Sequence, residues 1–117
     1  MPRGGMLSRL SDTLERYMDL LSARQKVVAS NIANADTPGY KTRDIDFQSE
    51  LRSVLGGGGP QSFEVAGLPV KNDGNNVSLD RESRLLAEND MRFNLASNLV
   101  RSEVQSIRAA LQTGGNT

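Results

Sequence analysis

Two carboxylates around one apolar residue are the nearest approach in this chain to a catalytic or cation-binding pair. Asp44 and Asp46 flank Ile45, and residues two apart share one face of a strand, so this pair could ligate a cation or divide acid and base roles. No third ligand is evident, and the chain contains no histidine, the commonest general base. We therefore expect no catalytic residue, metal ligand or cofactor, and a small cation-dependent enzyme stays a remote alternative.

Other segments that resemble ligand-binding loops also lack the residues that such loops need. Residues 73–76, Asp-Gly-Asn-Asn, lack the later glycine and glutamate of a calcium loop, so they predict a turn. The glycines at 56–59 are followed by Pro60 rather than by Gly-Lys-Ser/Thr, which indicates a linker and not a phosphate-binding loop. Fourteen basic and fourteen acidic residues cancel and are spread along the chain, which predicts neither a nucleic-acid-binding arm nor a polybasic membrane patch. No nucleic-acid partner and no small-molecule substrate are expected.

The N-terminal third of the chain has the hydrophobic spacing of a coiled-coil helix. Apolar residues recur at three-four spacing, which predicts a helix over residues 7–35 about 40 Å long. Two positions of this stripe are polar: Arg24 is typical of a residue at the edge of a helix interface, and Asn31 could either set the register or lie at an exposed end. The predicted seam of this helix consists of Leu7, Leu10, Leu14, Tyr17, Leu21 and Val28.

A compact stop signal ends this helix. Pro38 lacks the amide that a helix interior requires and disfavours the helical conformation at Thr37. Gly39 can adopt the positive φ of a type II turn that has proline at the preceding position. We expect the stop to act as a corner that places the following chain against a neighbouring subunit.

A second helix is predicted over residues 78–112, with Ser78 or Asp80 as its cap and the glycine-rich residues 113–117 as its stop. Its apolar stripe would pair with the first helix, and a second ridge is rotated away from that stripe. A helix with two apolar ridges usually contacts more than one neighbour, which indicates self-association. The predicted seam is Leu86, Phe93, Val100, Val104, Ile107 and Leu111, and the second ridge is Met91, Leu95 and Leu99.

Residues 36–77 contain the stop and an irregular middle. Ile45, Phe47 and Leu51 predict a short strand or a turn of helix, and residues 63–70 have the spacing of a weak hairpin. The predicted fold is a single unit over residues 1–117. It is mostly α, with long terminal helices paired as a coiled-coil-like hairpin around an extended or partly disordered middle.

Three segments resemble a known family. Residues 29–41, ASNIANADTPGYK, are similar to the N-terminal signature of the bacterial flagellar rod and hook family. Residues 42–47, TRDIDF, and 73–82, DGNNVSLDRE, resemble one branch of it, the proximal rod proteins of the FlgB type. The chain departs from that pattern at Ser78, where acidic residues are frequent. The resemblance assigns an assembly motif to Asn31, Asn34, Asp36, Thr37, Pro38, Gly39 and Tyr40.

This resemblance implies a structural subunit of the flagellar basal body that assembles into a hollow, torque-transmitting shaft needed for motility. Its implied partners are further copies of itself, other rod proteins, junction proteins of the FliE type between membrane ring and rod, and the flagellar export apparatus. Residues 1–6 lack the apolar region of a cleavable secretory signal. The resemblance implies export without signal cleavage into the periplasmic, envelope-spanning rod. A soluble coiled-coil adaptor unrelated to flagella is the alternative.

Overall fold

The structure is a computed structural model that describes residues 5–53 and 61–115, with side chains described for 9–53 and 61–113. Along the chain, these ranges form α1 (Gly5–Ala33), β1 (Arg43–Ile45), α2 (Phe47–Arg52), β2 (Ser62–Glu64) and α3 (Leu79–Gly115). The predicted linker at 56–60 lies outside the described residues, as do Met1 and the side chain of Leu7. Among the described residues, no helix combines the length and apolar character that crossing a membrane requires.

Helix α1 ends at Ala33, two residues before the predicted end, and the stop is built as the sequence indicates. The Asn34 side chain donates to the Ser30 carbonyl at 2.8 Å, which satisfies one of the acceptors left open in the last helical turn. The turn that follows closes with the Tyr40 amide donating to the Thr37 carbonyl at 3.2 Å. Gly39 has φ +76°, so the glycine takes the positive φ predicted for it after Pro38.

Helix α3 begins after Ser78, whose hydroxyl accepts the Arg81 amide at 3.2 Å, so Ser78 is the cap. The helix continues to Gly115 rather than stopping at residue 112. Thr113 does not break it, because its hydroxyl donates to the Ala109 carbonyl one turn earlier at 3.0 Å. This bond is compatible with a helical backbone, as is common for threonine within helices.

The middle of the chain contains both a strand and a helical turn after the stop. Asp46 separates them and caps α2 by accepting the Ser49 amide at 3.3 Å. The hairpin predicted within residues 63–70 is wrong, because β2 pairs antiparallel with β1, placing Arg43 opposite Glu64. The Arg43 guanidinium donates to the Ser62 carbonyl at 2.8 Å, so a long-range contact replaces the local pairing.

The two long helices pack against each other in one elongated body of 72 × 26 × 17 Å. The predicted fold class, mostly α with paired terminal helices, is confirmed. The apolar core lies where α1 meets β1 and α2, and it is small. Its buried members are Leu20, Leu21, Ile45 and Phe47, with Tyr17, Ala23, Val27 and Leu51 packed against them.

On α1, the predicted seam is buried over its central and C-terminal part. Leu14, Leu21 and Val28 are buried, and Tyr17 is half-buried. Leu10 is 44% exposed, so burial of the seam declines toward the N-terminal end of the helix.

On α3, the structure corrects the predicted seam. The most buried residues are Glu82, Asn89, Ala96 and Glu103, at intervals of seven. Leu86, Val100 and Ile107 flank this row and are half-buried, whereas Phe93, Val104 and Leu111 are 38%, 41% and 70% exposed. A polar row can occupy the interface because its members have partners across it: the Ser11 hydroxyl donates to Glu103 at 2.8 Å, and Asn89 donates to the Leu21 carbonyl at 2.9 Å.

Candidate assembly site

The polar corner at the end of α1 is organised around Asn31, which is completely buried. Its side-chain nitrogen donates to the Arg43 carbonyl at 2.8 Å, and its oxygen accepts the Arg43 amide at 3.1 Å and the Tyr40 hydroxyl at 2.9 Å. On the side of β1 that faces α1, the Asn31 side chain therefore supplies the donor and the acceptor that a neighbouring strand would offer to the Arg43 backbone. This pairing fixes the direction in which the chain leaves the corner.

The segment before α3 closes the same corner from the other side. The Asn75 side chain donates to the Asn34 and Thr37 carbonyls, both at 2.8 Å, and accepts the Val77 amide at 2.8 Å. Both carbonyls belong to the turn after α1, where each also accepts a backbone amide. A completely buried asparagine thus joins the stop of one helix to the entry of the other.

Asn76 and Thr42 form a second pair of contacts between these segments. The Asn76 side-chain oxygen accepts the Thr42 amide at 2.6 Å, and the Thr42 hydroxyl donates to the Asn76 carbonyl at 3.2 Å. Both residues are buried. Because the side chains bond to backbone, an apolar replacement of similar size at either position would leave buried backbone groups without partners.

The two backbones also touch directly. The Gly39 amide donates to the Asp73 carbonyl at 2.8 Å, and Lys41 donates through its ammonium to the Gly74 carbonyl. Gly74 has φ +85°, and a Cβ at this position would lie 3.3 Å from the Gly39 Cα. The approach therefore requires glycine at residue 74 both for its backbone conformation and for its lack of a side chain.

Of the predicted assembly motif, Asn31 is buried, and Asn34 and Tyr40 are half-buried. The remaining members are exposed at the tip of the corner: Asp36, Thr37, Pro38 and Gly39. Within the chain, the corner packs against residues 73–77. Sequence reasoning missed the side-chain roles of Thr42, Asn75 and Asn76, although the polar run at 73–76 was recognised as a turn.

Asp44 is buried in a cluster of charges between α1, β1 and α3. It pairs with Arg24 at 3.2 Å and with Arg81 at 2.6 Å, and Arg81 also pairs with the buried Glu82 at 2.8 Å. Arg24 is therefore a member of an ion-pair cluster rather than an interface-edge residue. Since Asp44 is held by two arginines and Asp46 caps α2, the two carboxylates have separate structural roles. Among the described residues, no three histidine, cysteine or acidic side chains are grouped as a metal site.

Phe47 connects α2 to both long helices. Its ring lies between the guanidinium groups of Arg24, 4.9 Å from the ring centroid, and Arg92, at 4.8 Å. The pKa of Arg92 is raised above its ordinary value, mainly by the hydrogen bond between its guanidinium and the Tyr17 hydroxyl. Burial opposes this increase, and Glu88 adds to it. Arg92 is thus a permanent cation in this stack, and the corner is connected to the middle of the hairpin.

The predicted second ridge on α3 is left exposed by the part of the chain that the structure describes. Met91, Leu95 and Leu99 are 71%, 59% and 49% exposed. The ridge continues toward the C-terminus as an uncharged, exposed strip of smaller residues, Ser102, Ser106 and Ala109. An exposed apolar row bordered by polar residues is typical of a protein interaction surface rather than of a free helix face.

The comparisons with known proteins agree with this picture. The family model described as "Flagella basal body rod protein" matches residues 12–41, from α1 through the corner. The flagellar basal body rod protein FlgB of Salmonella typhimurium is 34% identical over an alignment of 139 residues, which covers 95% of this chain and 100% of that protein. FlgB of Escherichia coli is 32% identical over 93% of this chain and 99% of its own, and FlgB of Borrelia hermsii is 33% identical over 86% and 94%. By this similarity along nearly its whole length, the chain belongs to the FlgB family of flagellar basal body rod proteins.

Proposed function

We propose that this chain is a structural subunit of the proximal rod of the bacterial flagellar basal body, where it assembles with copies of itself and with other rod proteins. The observation that carries the proposal is the pairing of α1 and α3 into a stiff hairpin that leaves the row Met91, Leu95 and Leu99 uncovered. Membership of the FlgB family supports the location in the rod. A role in a hollow shaft that transmits torque follows from that location.

No chemistry is part of this proposal. The polar side chains of the corner bond to backbone, and the buried carboxylates of Asp44 and Glu82 bond to arginines. These side chains fix the angle between the two long helices and strand β1, which follows the corner. A coiled-coil adaptor outside the flagellum is not favoured, because both the family match and the relatives are flagellar rod proteins.

The function is tested by deleting the gene in the bacterium that encodes the chain and restoring it from a plasmid. Loss of swimming and of filaments, with recovery by the wild-type chain, is expected. Purified basal bodies should contain the chain at the proximal end of the rod, as located by labelled antibody in electron micrographs. Normal motility of the deletion strain would overturn the proposal.

The proposal includes two finer elements: contact with a junction protein of the FliE type at the membrane ring, and delivery by the flagellar export apparatus without cleavage. The thin apolar core and the polar α3 row support passage of the chain in an unfolded form, because little burial has to be given up. In a strain without the export apparatus, the chain should stay in the cytoplasmic fraction at its full mass. Its appearance in the envelope of that strain would contradict delivery by this route.

A further inference from the structure

The hairpin has a groove on the flank opposite to the exposed α3 ridge. Residues of an α-helix advance by about 100° each. On one side of the buried α3 row, the helix surface carries Arg92 and then the ridge of Met91, Leu95 and Leu99. On the other side it carries Phe93 and then Asp90, and both of these residues border the groove. Ridge and groove thus lie on opposite flanks of one helix.

The groove lies between α1 and α3 and has a volume of about 220 Å³. This is more than the ~150 Å³ of an apolar cavity that holds a benzene molecule, so one leucine side chain fits. The groove extends over four residues of each helix, which is about 6 Å along the helix axis. Successive ridge residues on α3 are also four residues apart, so their spacing equals the length of the groove. Its lining consists of Leu21, Ser22, Gln25, Asn89, Asp90 and Phe93.

One lining residue carries an unsatisfied acceptor. The Asn89 side-chain nitrogen donates to the Leu21 carbonyl at 2.9 Å and to the Gln25 side-chain oxygen at 3.0 Å. Its oxygen is buried and has no hydrogen-bond partner. This oxygen is enclosed beneath the groove lining, so an occupant of the groove can donate to it only if the Asn89 side chain turns outward.

The ridge carries the matching chemistry. Asn94 and Asn98 are exposed and lie next to Leu95 and Leu99 on the outer face of α3. A helix that inserts Leu95 therefore also brings amide donors, with the Arg92 guanidinium three residues before that leucine. Phe93, which is 38% exposed at the groove, offers the apolar contact that such a leucine would cover.

We propose that Leu95 of one copy inserts into the groove between α1 and α3 of the next copy, with Met91 and Leu99 on either side of it. Because the two surfaces differ and lie on opposite flanks, each copy leaves one ridge and one groove free. Such a head-to-tail contact propagates into a ring or a helical filament instead of closing as a dimer. This inference deepens the assembly function and rests on it.

The chain contains no cysteine, so engineered pairs give an unambiguous crosslinking test. Leu95→Cys places a thiol on the ridge, and Ser22→Cys places one on the exposed rim of the groove. The doubly substituted chain, expressed in the deletion strain, is oxidised in purified basal bodies. We expect a ladder of dimers, trimers and larger species. The matched control pairs Leu95→Cys with Glu15→Cys, which lies on the same exposed side of α1 about 10 Å from Ser22 along the helix axis. It should give no ladder, because a disulfide requires closer approach.

The outcomes separate this contact from the function on which it rests. A ladder that requires both Leu95→Cys and Ser22→Cys supports the contact. Dimers formed by Leu95→Cys alone would mean that ridges pair with each other, and equal crosslinking in the Glu15 control would mean that the groove is not selected; either result overturns it. If wild-type and substituted chains restore swimming but no ladder forms, the contact is wrong while the rod function stands. If the deletion strain swims, the rod function itself fails.

Discussion

The two ends of the helical hairpin are held together by different means. At the closed end, α1, β1 and the entry to α3 are joined by the buried Asn31 and Asn75 and by the charge cluster around Asp44. At the open end, the pairing described within the chain relies on Leu14, Ala96 and the hydrogen bond from Ser11 to Glu103. Large apolar side chains there are exposed instead: Leu10, Val104 and Leu111.

This difference indicates where the folded subunit ends and the assembly begins. Side chains that bond to backbone are fully satisfied without a second copy, so the closed end specifies its own geometry. The open end exposes apolar surface that a neighbour can cover, and an isolated helix end gains little stability from propensity alone. A subunit built in this way has a preformed corner and an end whose order depends on its neighbours.

The largest effect is expected from the charge cluster at the closed end. Replacing Asp44 with alanine removes the carboxylate that pairs with Arg24 and leaves Arg81 with Glu82 alone. Breaking such a nearly buried pair costs about 3–5 kcal/mol of unfolding free energy. Asp46→Ala, two residues away, removes only a cap and should cost about 1 kcal/mol. Denaturant unfolding of the purified chains measures both, and equal losses would show that Asp44 is not buried among charges.

The next largest effect is expected at Asn75. Asn75→Ala leaves the buried Val77 amide without its partner and removes one of the two hydrogen bonds at the Asn34 and Thr37 carbonyls. An unsatisfied buried amide costs about 1–3 kcal/mol and each lost carbonyl hydrogen bond about 0.5–1.5 kcal/mol, so we expect a total loss of about 2–4 kcal/mol. The control, Asn98→Ala on the exposed face of α3, should change stability by less than about 0.5 kcal/mol. A similar small change for Asn75→Ala would mean that the corner is held by backbone contacts alone.

A smaller effect separates backbone conformation from close approach in the corner. Gly74→Ala and Gly67→Ala both place alanine at positive φ, +85° and +81°, which costs about 1–2 kcal/mol in each. A Cβ at residue 67 meets nothing within 4 Å, whereas one at residue 74 lies 3.3 Å from the Gly39 Cα. We therefore expect Gly74→Ala to be the more destabilising by about 1 kcal/mol in thermal unfolding. Equal melting temperatures would show that the two backbones can move apart at no cost.

The sequence predicted the helices and the stop well, because both depend on local signals. Three-four spacing marks a helix, and proline followed by glycine marks a turn, whatever the rest of the chain does. The strand pairing was not predictable in the same way. The partner of β1 lies on the far side of the predicted linker at 56–60. The spacing of residues 63–70 favoured a local hairpin, whereas in the structure residues 62–64 pair with β1 and Ser62 contacts Arg43.

The predicted α3 seam lies beside the buried row rather than on it. A search for apolar residues selects Val104 and Leu111, whereas the buried row contains Glu82, Asn89 and Glu103. Polar residues can occupy a helix interface when they have partners across it, and those partners are set by tertiary structure rather than by spacing. For the same reason the contacts of Asn75, made with residues about forty positions away, were outside the reach of the sequence.

The smallest effect on the isolated chain is expected at the open end, and it is the sharpest test of the contrast. Leu111 is 70% exposed, so Leu111→Ala should change the unfolding free energy by less than about 0.5 kcal/mol. Leu21→Ala, at a fully buried position of α1, should cost about 2–5 kcal/mol.

Hydrogen exchange of the isolated chain should agree with this order, with fast exchange over residues 100–113 and protection at Asn31 and Asn76, because local opening is easiest where few apolar contacts are buried. The same Leu111→Ala chain should nevertheless restore swimming less well than wild type, because we expect a neighbouring subunit to cover this exposed leucine in the rod. Unchanged swimming together with unchanged stability would mean that the open end is a bare helix terminus. In that case α3 would contact neighbouring subunits only through the ridge around Leu95.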